Sequence, residues 1–247
     1  MSVKRILVIN ASSSPKLTKI LDGLIKDRIS RFPSETTIES YTAPSGPPSI
    51  DNDHDALVSA RAIMADLQFR LEDYDAYLVA CYCVHPMVSM LKARVSQRIH
   101  VIGIFEASIL TALSLIPTDS DSKFGIITSD KYWVDSLTKG VNKLCSIDNS
   151  TTKRLKGVEA TGLAADEIYS LQSDEIKIRV KNAAVKLIQD RDVRVICLGC
   201  STMARFSGAV EEALREELGD KAGSVYVLES FQAGIGLIEN LLRAFPT

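Results

Sequence analysis

Two cysteines of this chain stand where a thiol can do chemistry. Cys81 lies in Ala80-Cys81-Tyr82-Cys83 and Cys200 in Gly199-Cys200-Ser201-Thr202. Each follows a short apolar run, Ala76–Val79 in the first case and Val193–Leu198 in the second, and each precedes a segment that reads as a helix start. Pro86 suits the first position of a helix, and Ser201 and Thr202 suit an N-cap. A thiol beside a helix N-terminus feels positive partial charge and unpaired backbone N–H groups, which favour the thiolate near neutral pH. The same donors can hold a carboxylate or a carbonyl oxygen. Strand ends of this kind are also where open α/β sheets bind ligands. Two of them facing across a cleft, with a thiol on each wall, suit inversion at a carbon acidified by a carbonyl. One thiolate removes the α-proton, backbone donors hold the enolate-like intermediate, and the opposite thiol returns a proton. Such a reaction needs no redox or electron-sink cofactor. A buried cysteine is also a small apolar filler, and pattern alone leaves Cys81 and Cys200 open to either reading. Cys197, inside a strand, and Cys145, on a helix end, read as filler.

Other motifs narrow the choice. Cys81-Tyr82-Cys83-Val84-His85 offers three soft ligands, but His54 and His100 stand in no ligand-like spacing to supply a fourth, so no metal is expected. His85 reads instead as a residue that caps the turn or hydrogen-bonds near the pocket. The loop Asn10-Ala11-Ser12-Ser13-Ser14-Pro15 carries polar side chains and backbone donors that can hold an amide or carboxylate. It has neither the Gly-Lys-Ser/Thr ending of a Walker loop nor a GxGxxG fingerprint. No GxSxG elbow and no HExxH occurs, which disfavours a hydrolase. Gly234-Ile235-Gly236 falls in a helical pattern and reads as a packing feature.

The elements that must position these residues alternate along the chain. Strand-like runs occur at Arg5–Asn10, Thr36–Tyr41, Ala76–Cys81, Val101–Phe105, Phe124–Thr128, Leu155–Ala160, Val193–Leu198 and Ser224–Leu228. They are continuous in Val, Ile and Leu, as parallel strands covered on both faces are. Helical stretches fill the intervals: Leu17–Ile29, Ala56–Leu71, Pro86–Ser96, Leu110–Leu115, Tyr132–Leu144, Asp166–Gln189, Ala204–Leu218 and Phe231–Leu242. This is the pattern of βαβ units. It also repeats. Ile6 to Phe124 is 118 residues, Ile38 to Val158 is 120 and Cys81 to Cys200 is 119, and the fourth strands near Val101 and Val225 are similarly offset. The chain therefore reads as two copies of a four-strand unit without close residue identity, in which Cys81 and Cys200 are equivalent. The stretch Thr42–Asn52, rich in Pro, Gly and Ser, reads as an ordered loop over a cleft, and Cys145–Lys153 as a polar connection.

Bulk properties set the class. A chain of 247 residues, 46% hydrophobic and 24% charged, can bury a sizeable core without disulfide or metal. A net charge of -2 with scattered Lys and Arg gives no reason to expect nucleic acid or an anionic membrane as partner. No run of 18 apolar residues exists, and the basic residues before Ile6–Ile9 introduce a strand more than a leader. Five cysteines, an odd number, point to reduced thiols in the cytosol.

These segments resemble the aspartate/glutamate/hydantoin racemase superfamily, and within it the hydantoin and allantoin racemase branch with its fungal members. The similarity runs through Ile6–Asn10 and its Ser-rich loop, Asp75–Pro86, Val101–Ile104 leading to Glu106-Ala107-Ser108, Phe124–Trp133, Thr161-Gly162-Leu163 and Val195–Met203. The resemblance implies an α/β fold of two pseudo-symmetric lobes, each a four-stranded parallel sheet flanked by helices, with the active site in the cleft between them. It implies residues 1–99 with 220–247 in the first lobe and 100–219 in the second, the last strand and helix returning to the first. It further implies cofactor-independent racemisation of a small-molecule substrate by Cys81 and Cys200 and assembly as a homo-oligomer. Asn10, Tyr82, Thr128, Ser201 and Thr202 fall around the pocket as substrate-binding positions, with Pro48 and Ser49 contributed by the covering loop. The first-strand loop has Ala11-Ser12 where many relatives carry Pro-Asn, which leaves substrate choice open among hydantoin-type rings and allantoin. An Asp or Glu racemase would want a basic group near the thiols, and only Arg205 is close in sequence. A decarboxylase or maleate isomerase fits a pair of cysteines less well. Outside enzymology, the same fold could serve as a small-molecule or metal-binding module.

Overall fold

The computed structural model describes residues 3–145, 154–163, 167 and 173–245. Most of the expected polar connection, residues 146–153, and the expected helix start at Asp166 lie outside the described residues. Eight parallel strands form two separate four-stranded sheets. The first contains β1 (Lys4–Asn10), β2 (Thr36–Thr42), β3 (Ala76–Val79) and β4 (His100–Gly103) in the order β2-β1-β3-β4. The second contains β5 (Lys123–Thr128), β6 (Leu155–Ala160), β7 (Val193–Leu198) and β8 (Tyr226–Glu229) in the order β6-β5-β7-β8. Helices α1 (Pro15–Arg31), α2 (Asp53–Leu67), α3 (Pro86–Lys92), α4 (Ile104–Leu115), α5 (Tyr132–Leu144), α6 (Ser173–Ile188), α7 (Ser207–Leu218) and α8 (Ser230–Ala244) alternate with them. No helix among the described residues is long and apolar enough to cross a membrane.

The strand order follows from hydrophobicity and handedness. In the first unit, the central strands β1 and β3 are buried along almost their whole length, whereas the edge strand β2, Thr-Thr-Ile-Glu-Ser-Tyr-Thr, is half-exposed. The chain passes from β1 to β2 on one side, then returns across β1 to β3 and β4. Right-handed crossovers in opposite directions put helices on both faces. Leu7 and Ile9 of β1 and Tyr77 and Val79 of β3 pack with Ile63, Met64 and Leu67 of α2 and with Met87 and Leu91 of α3. In the second unit, Ile127, Ile196 and Leu198 pack with Val180 and Leu187 of α6 and Val210 and Leu214 of α7.

The chain divides at Ala107/Ser108 and again at Ser230/Phe231. This differs from the boundaries at 99/100 and 219/220 implied by the resemblance. Strand β4 pairs with β3 from Ala76↔His100 to Val79↔Gly103, and β8 pairs with β7 from Val195↔Tyr226 to Leu198↔Glu229. Each fourth strand thus stays with its own sheet, because only there are its backbone groups paired. What returns to the first unit is the last helix alone. Its Gly234 comes so close to Leu78 of β3 that an added Cβ would stand 2.8 Å from the Leu78 side chain. Arg28 of α1 and Glu239 of α8 form a buried ion pair at 2.6 Å that ties the two helices together.

Removing one partner of a buried pair leaves an uncompensated charge. Glu239 is only 3% exposed, so Glu239→Ala is expected to destabilise the protein by about 3 kcal/mol. Guanidinium denaturation followed by circular dichroism measures this; a loss within experimental error of zero would show the pair to be dispensable.

Candidate active site

Each thiol stands at the point where its sheet reverses direction. In the first unit the N–H of Ala80 donates to the carbonyl of Ile9 at 2.9 Å, closing the β1–β3 ladder one residue before Cys81. In the second unit the N–H of Gly199 donates to the carbonyl of Ile127 at 2.7 Å, one residue before Cys200. A further pair of bonds corresponds as well, since Ala43 N–H donates to the Asn10 carbonyl and Thr161 N–H to the Thr128 carbonyl. Asn10 matches Thr128 and Cys81 matches Cys200. Ligands of open parallel sheets bind outside the strand ends at such switch points. Both thiols are partly exposed, whereas Cys83, Cys145 and Cys197 are buried.

At the first site Asn10 is buried and its amide is fully used. Its Nδ2 donates to the Ser14 carbonyl at 2.9 Å and to Thr18 Oγ1 at 3.0 Å, while Oδ1 accepts from Ser12 N–H and Ser12 Oγ. Its side chain shapes the loop after β1. That loop in turn holds the stretch around Gly46 and Pro47, since Ser13 N–H donates to the Pro47 carbonyl at 3.0 Å and Ser13 Oγ to the Gly46 carbonyl at 2.9 Å, and its Ala11 carbonyl accepts from Ser59 Oγ of α2. Pro48 is exposed, and Ser49 Oγ donates to Asp51 at 2.7 Å. Tyr82 is buried, with its ring perpendicular to that of Phe105 at 5.4 Å.

The turn after Cys81 bears out the reading of His85 as a cap and of Pro86 as a helix start. The helix behind it is capped by His85, whose Nδ1 accepts the Met87 N–H at 3.2 Å, with Pro86 in the first turn. The helix end is therefore handed to His85, and what touches the Cys81 sulfur is Cys83, at 3.6 Å. The His85 ring is buried with Nε2 unpartnered, and burial pushes its pKa down to about 4. Nδ1 of His85 is committed to the cap. Among the described residues no three His, Cys, Asp or Glu side chains converge as a metal site.

At the second site Thr128 is buried at the end of β5. Cys200 itself occupies the N-cap of a short 3₁₀ segment, Ser201–Phe206, that leads into α7, and its carbonyl accepts the Met203 N–H at 3.0 Å. The capping role expected of Ser201 and Thr202 thus falls to the backbone of the cysteine. Thr202 is buried and turns its Oγ1 to the Cys200 sulfur at 3.0 Å. Ser201 is half-buried, and the exposed Arg205 lays its guanidinium over the Phe206 ring at 4.6 Å.

One pair of polar residues escaped the motif search. Glu106 and Gln232 are each the third residue of the helix that leaves a fourth strand without a loop. Each buries an oxygen that has no hydrogen-bond partner. Burial raises the Glu106 carboxyl, against the smaller lowering effect of nearby backbone N–H groups. The signal was present in the sequence as a short repeat, Phe105-Glu106-Ala107 and Phe231-Gln232-Ala233, masked by the apolar run that made Ile104 and Phe105 read as strand.

The family model for Asp/Glu/hydantoin racemases matches residues 6–238. The chain belongs to this family. An uncharacterised protein of Schizosaccharomyces pombe is 31% identical over 240 residues, covering 97% of this chain and 92% of its own. A hydantoin racemase of Paenarthrobacter aurescens is 26% identical over 244 residues, covering 96% and 91%. The allantoin racemase of Klebsiella pneumoniae shares the fold, with a TM-score of 0.78 at 20% identity over 98% of this chain and 88% of that one.

The buried imidazole has a pH signature. Its folded-state pKa of about 4 lies below the unfolded value near 6.5, so the unfolded chain binds the extra proton between these values. Stability is full above about pH 6.5 and falls as pH drops toward 4, by roughly 3 kcal/mol at the lower end. Denaturation midpoints at pH 7.5, 6 and 5 should therefore decline more steeply for the native protein than for His85→Gln. Parallel slopes for the two proteins would contradict the assignment.

Proposed function

We propose that the protein is a cofactor-independent racemase that inverts the carbon next to a carbonyl in hydantoin-type rings, allantoin among them. Cys81 and Cys200 serve as its two catalytic bases. The observation that carries this reading is the equivalence of the two thiols: each is partly exposed and follows the third strand of its sheet by the same ladder bond. Two-base inversion needs one acid–base group for each face of the carbon, and a duplicated unit supplies two of the same kind in opposite roles. For one enantiomer the Cys81 thiolate takes the ring proton, leaving an enolate whose charge is held by backbone N–H groups opening a turn, and Cys200 gives its S–H proton to the other face. The reverse reaction exchanges the roles, so the enzyme ends each turnover with one thiol and one thiolate.

Family membership supports racemisation, and the named hydantoin racemase among the relatives supports the ring class. The surroundings of the thiols favour a neutral ring over a dicarboxylic amino acid. Arg205, the basic residue nearest either thiol in sequence, is exposed and stacked on Phe206. A thiol meets the Cys81 sulfur and a hydroxyl meets the Cys200 sulfur, and both are uncharged.

In deuterated water the enzyme should exchange the ring C5 hydrogen of both enantiomers of allantoin or a 5-substituted hydantoin while optical rotation decays. Cys81→Ser and Cys200→Ser should each reduce inversion by about 10²–10⁴-fold, the usual contribution of a positioned acid or base, with exchange surviving for one enantiomer only. Undiminished turnover in both variants removes the mechanism. Activity on aspartate or glutamate without activity on any ring removes the substrate assignment.

A further inference from the structure

The two sulfurs share a feature that neither substrate contact nor helix capping accounts for. Two residues after each reactive cysteine stands a buried side chain with a proton to give: Cys83, 2% exposed, and Thr202, 3% exposed. Cys83 Sγ lies 3.6 Å from Cys81 Sγ, and Thr202 Oγ1 lies 3.0 Å from Cys200 Sγ. The same offset in both halves, with unlike residues making the same contact, marks a requirement of the site more than a packing accident. We infer that Cys83 and Thr202 are a matched pair of positioning residues, each donating a hydrogen bond to the sulfur of its cysteine and thereby stabilising that sulfur whenever it is the thiolate of the pair. This inference rests on the reading of Cys81 and Cys200 as the bases and adds what sets their strength.

The direction of the bond at the first site follows from its surroundings. Cys83 is packed where a negative charge is least welcome, with the Cys81 sulfur beside it and the acidic groups Glu106 of α4 and Asp53 of α2 acting on it. The Cys81 contact, burial and these acids all raise the Cys83 pKa, so its proton stays in place. Cys81 is the partly exposed member of the pair and Cys83 the buried one, so the Cys83 S–H is the donor toward the Cys81 sulfur. The Cys83 carbonyl accepts the His85 N–H at 2.8 Å, which fixes the turn that carries the donor. At the second site a hydroxyl beside a sulfur acts as donor once the sulfur is ionised, since the thiolate can only accept. Hydrogen bonding to the charged form lowers a thiol pKa. Thr202 was expected among the substrate-binding residues; here its hydroxyl works on the cysteine instead.

The test is the pH dependence of alkylation of each thiol by iodoacetamide, read peptide by peptide by mass spectrometry on the full-length protein without substrate. Cys83→Ala should move the midpoint for Cys81 upward by about one pH unit and leave that for Cys200 in place. Thr202→Val should do the reverse. Cys83→Ser and Thr202→Ser keep a donor and should return each profile to within a few tenths of a unit of the native one. The untouched thiol is the internal control for folding, because a general loosening would shift both profiles and expose Cys145 and Cys197 to the reagent. Unmoved or downward-shifted midpoints in the Ala and Val variants, or failure of the Ser variants to restore them, overturn the inference. Because no substrate enters the assay, a positive result with no ring racemisation would instead sink the proposed function alone.

Discussion

A single hydrogen bond made twice organises everything that matters here. Where Ala80 reaches back to Ile9, and Gly199 to Ile127, the first and third strands of a sheet make their last parallel contact. The chain then has no further strand partner and must leave the sheet. Parallel pairing forces both strands to end on the same edge, and the 2-1-3-4 order makes their crossovers depart in opposite directions. Ligands of open parallel sheets bind outside strand ends of this kind. A residue placed one step past that bond is therefore held by the rigid sheet on one side and open on the other. Cys81 and Cys200 occupy that step.

The two halves meet this common constraint with different local chemistry. After β1 the chain folds into a Ser-rich loop built around the Asn10 amide, and that loop anchors the segment around Gly46 and Pro47. After β5 the corresponding residue is Thr128, buried, and the residues just past β5 and β6 are tied instead by the hydrogen bond from Thr161 Oγ1 to the Ser129 carbonyl. After β3 a separate cap, His85, finishes the helix; after β7 the cysteine is its own cap. The ladder bond and the thiol recur in both units, whereas the loops beside them differ.

The last helix illustrates how packing settles what local pattern leaves open. Along the chain Gly234 reads only as a packing feature, and Glu239 draws no reading at all. Against β3 and α1 they become a point of close approach and half of a buried ion pair. The expectation that the last strand would travel with this helix failed for an elementary reason. A strand is held by hydrogen bonds to its neighbour along its whole length, whereas a helix satisfies its own backbone and is free to be claimed by another surface.

Strand positions, the alternation, the duplicated unit and the two thiols were all legible in the residues. Each depends on periodicity, on apolar runs or on spacing, which are properties of the chain in one dimension. The cysteine pair was visible because repetition makes equivalent positions recur at a nearly constant offset. Only the tertiary structure decided which of the neighbouring polar residues lie against the sulfurs. Asn10 turned inward to its own loop, His85 to a helix end, and Cys83 and Thr202 to the thiols, although all four are short polar or polarisable side chains beside a strand end. Such assignments follow from side-chain direction at a few ångströms, which is set by the backbone of the turn and by what is packed behind it. Sequence spacing fixes who is near; only the folded chain fixes who faces whom.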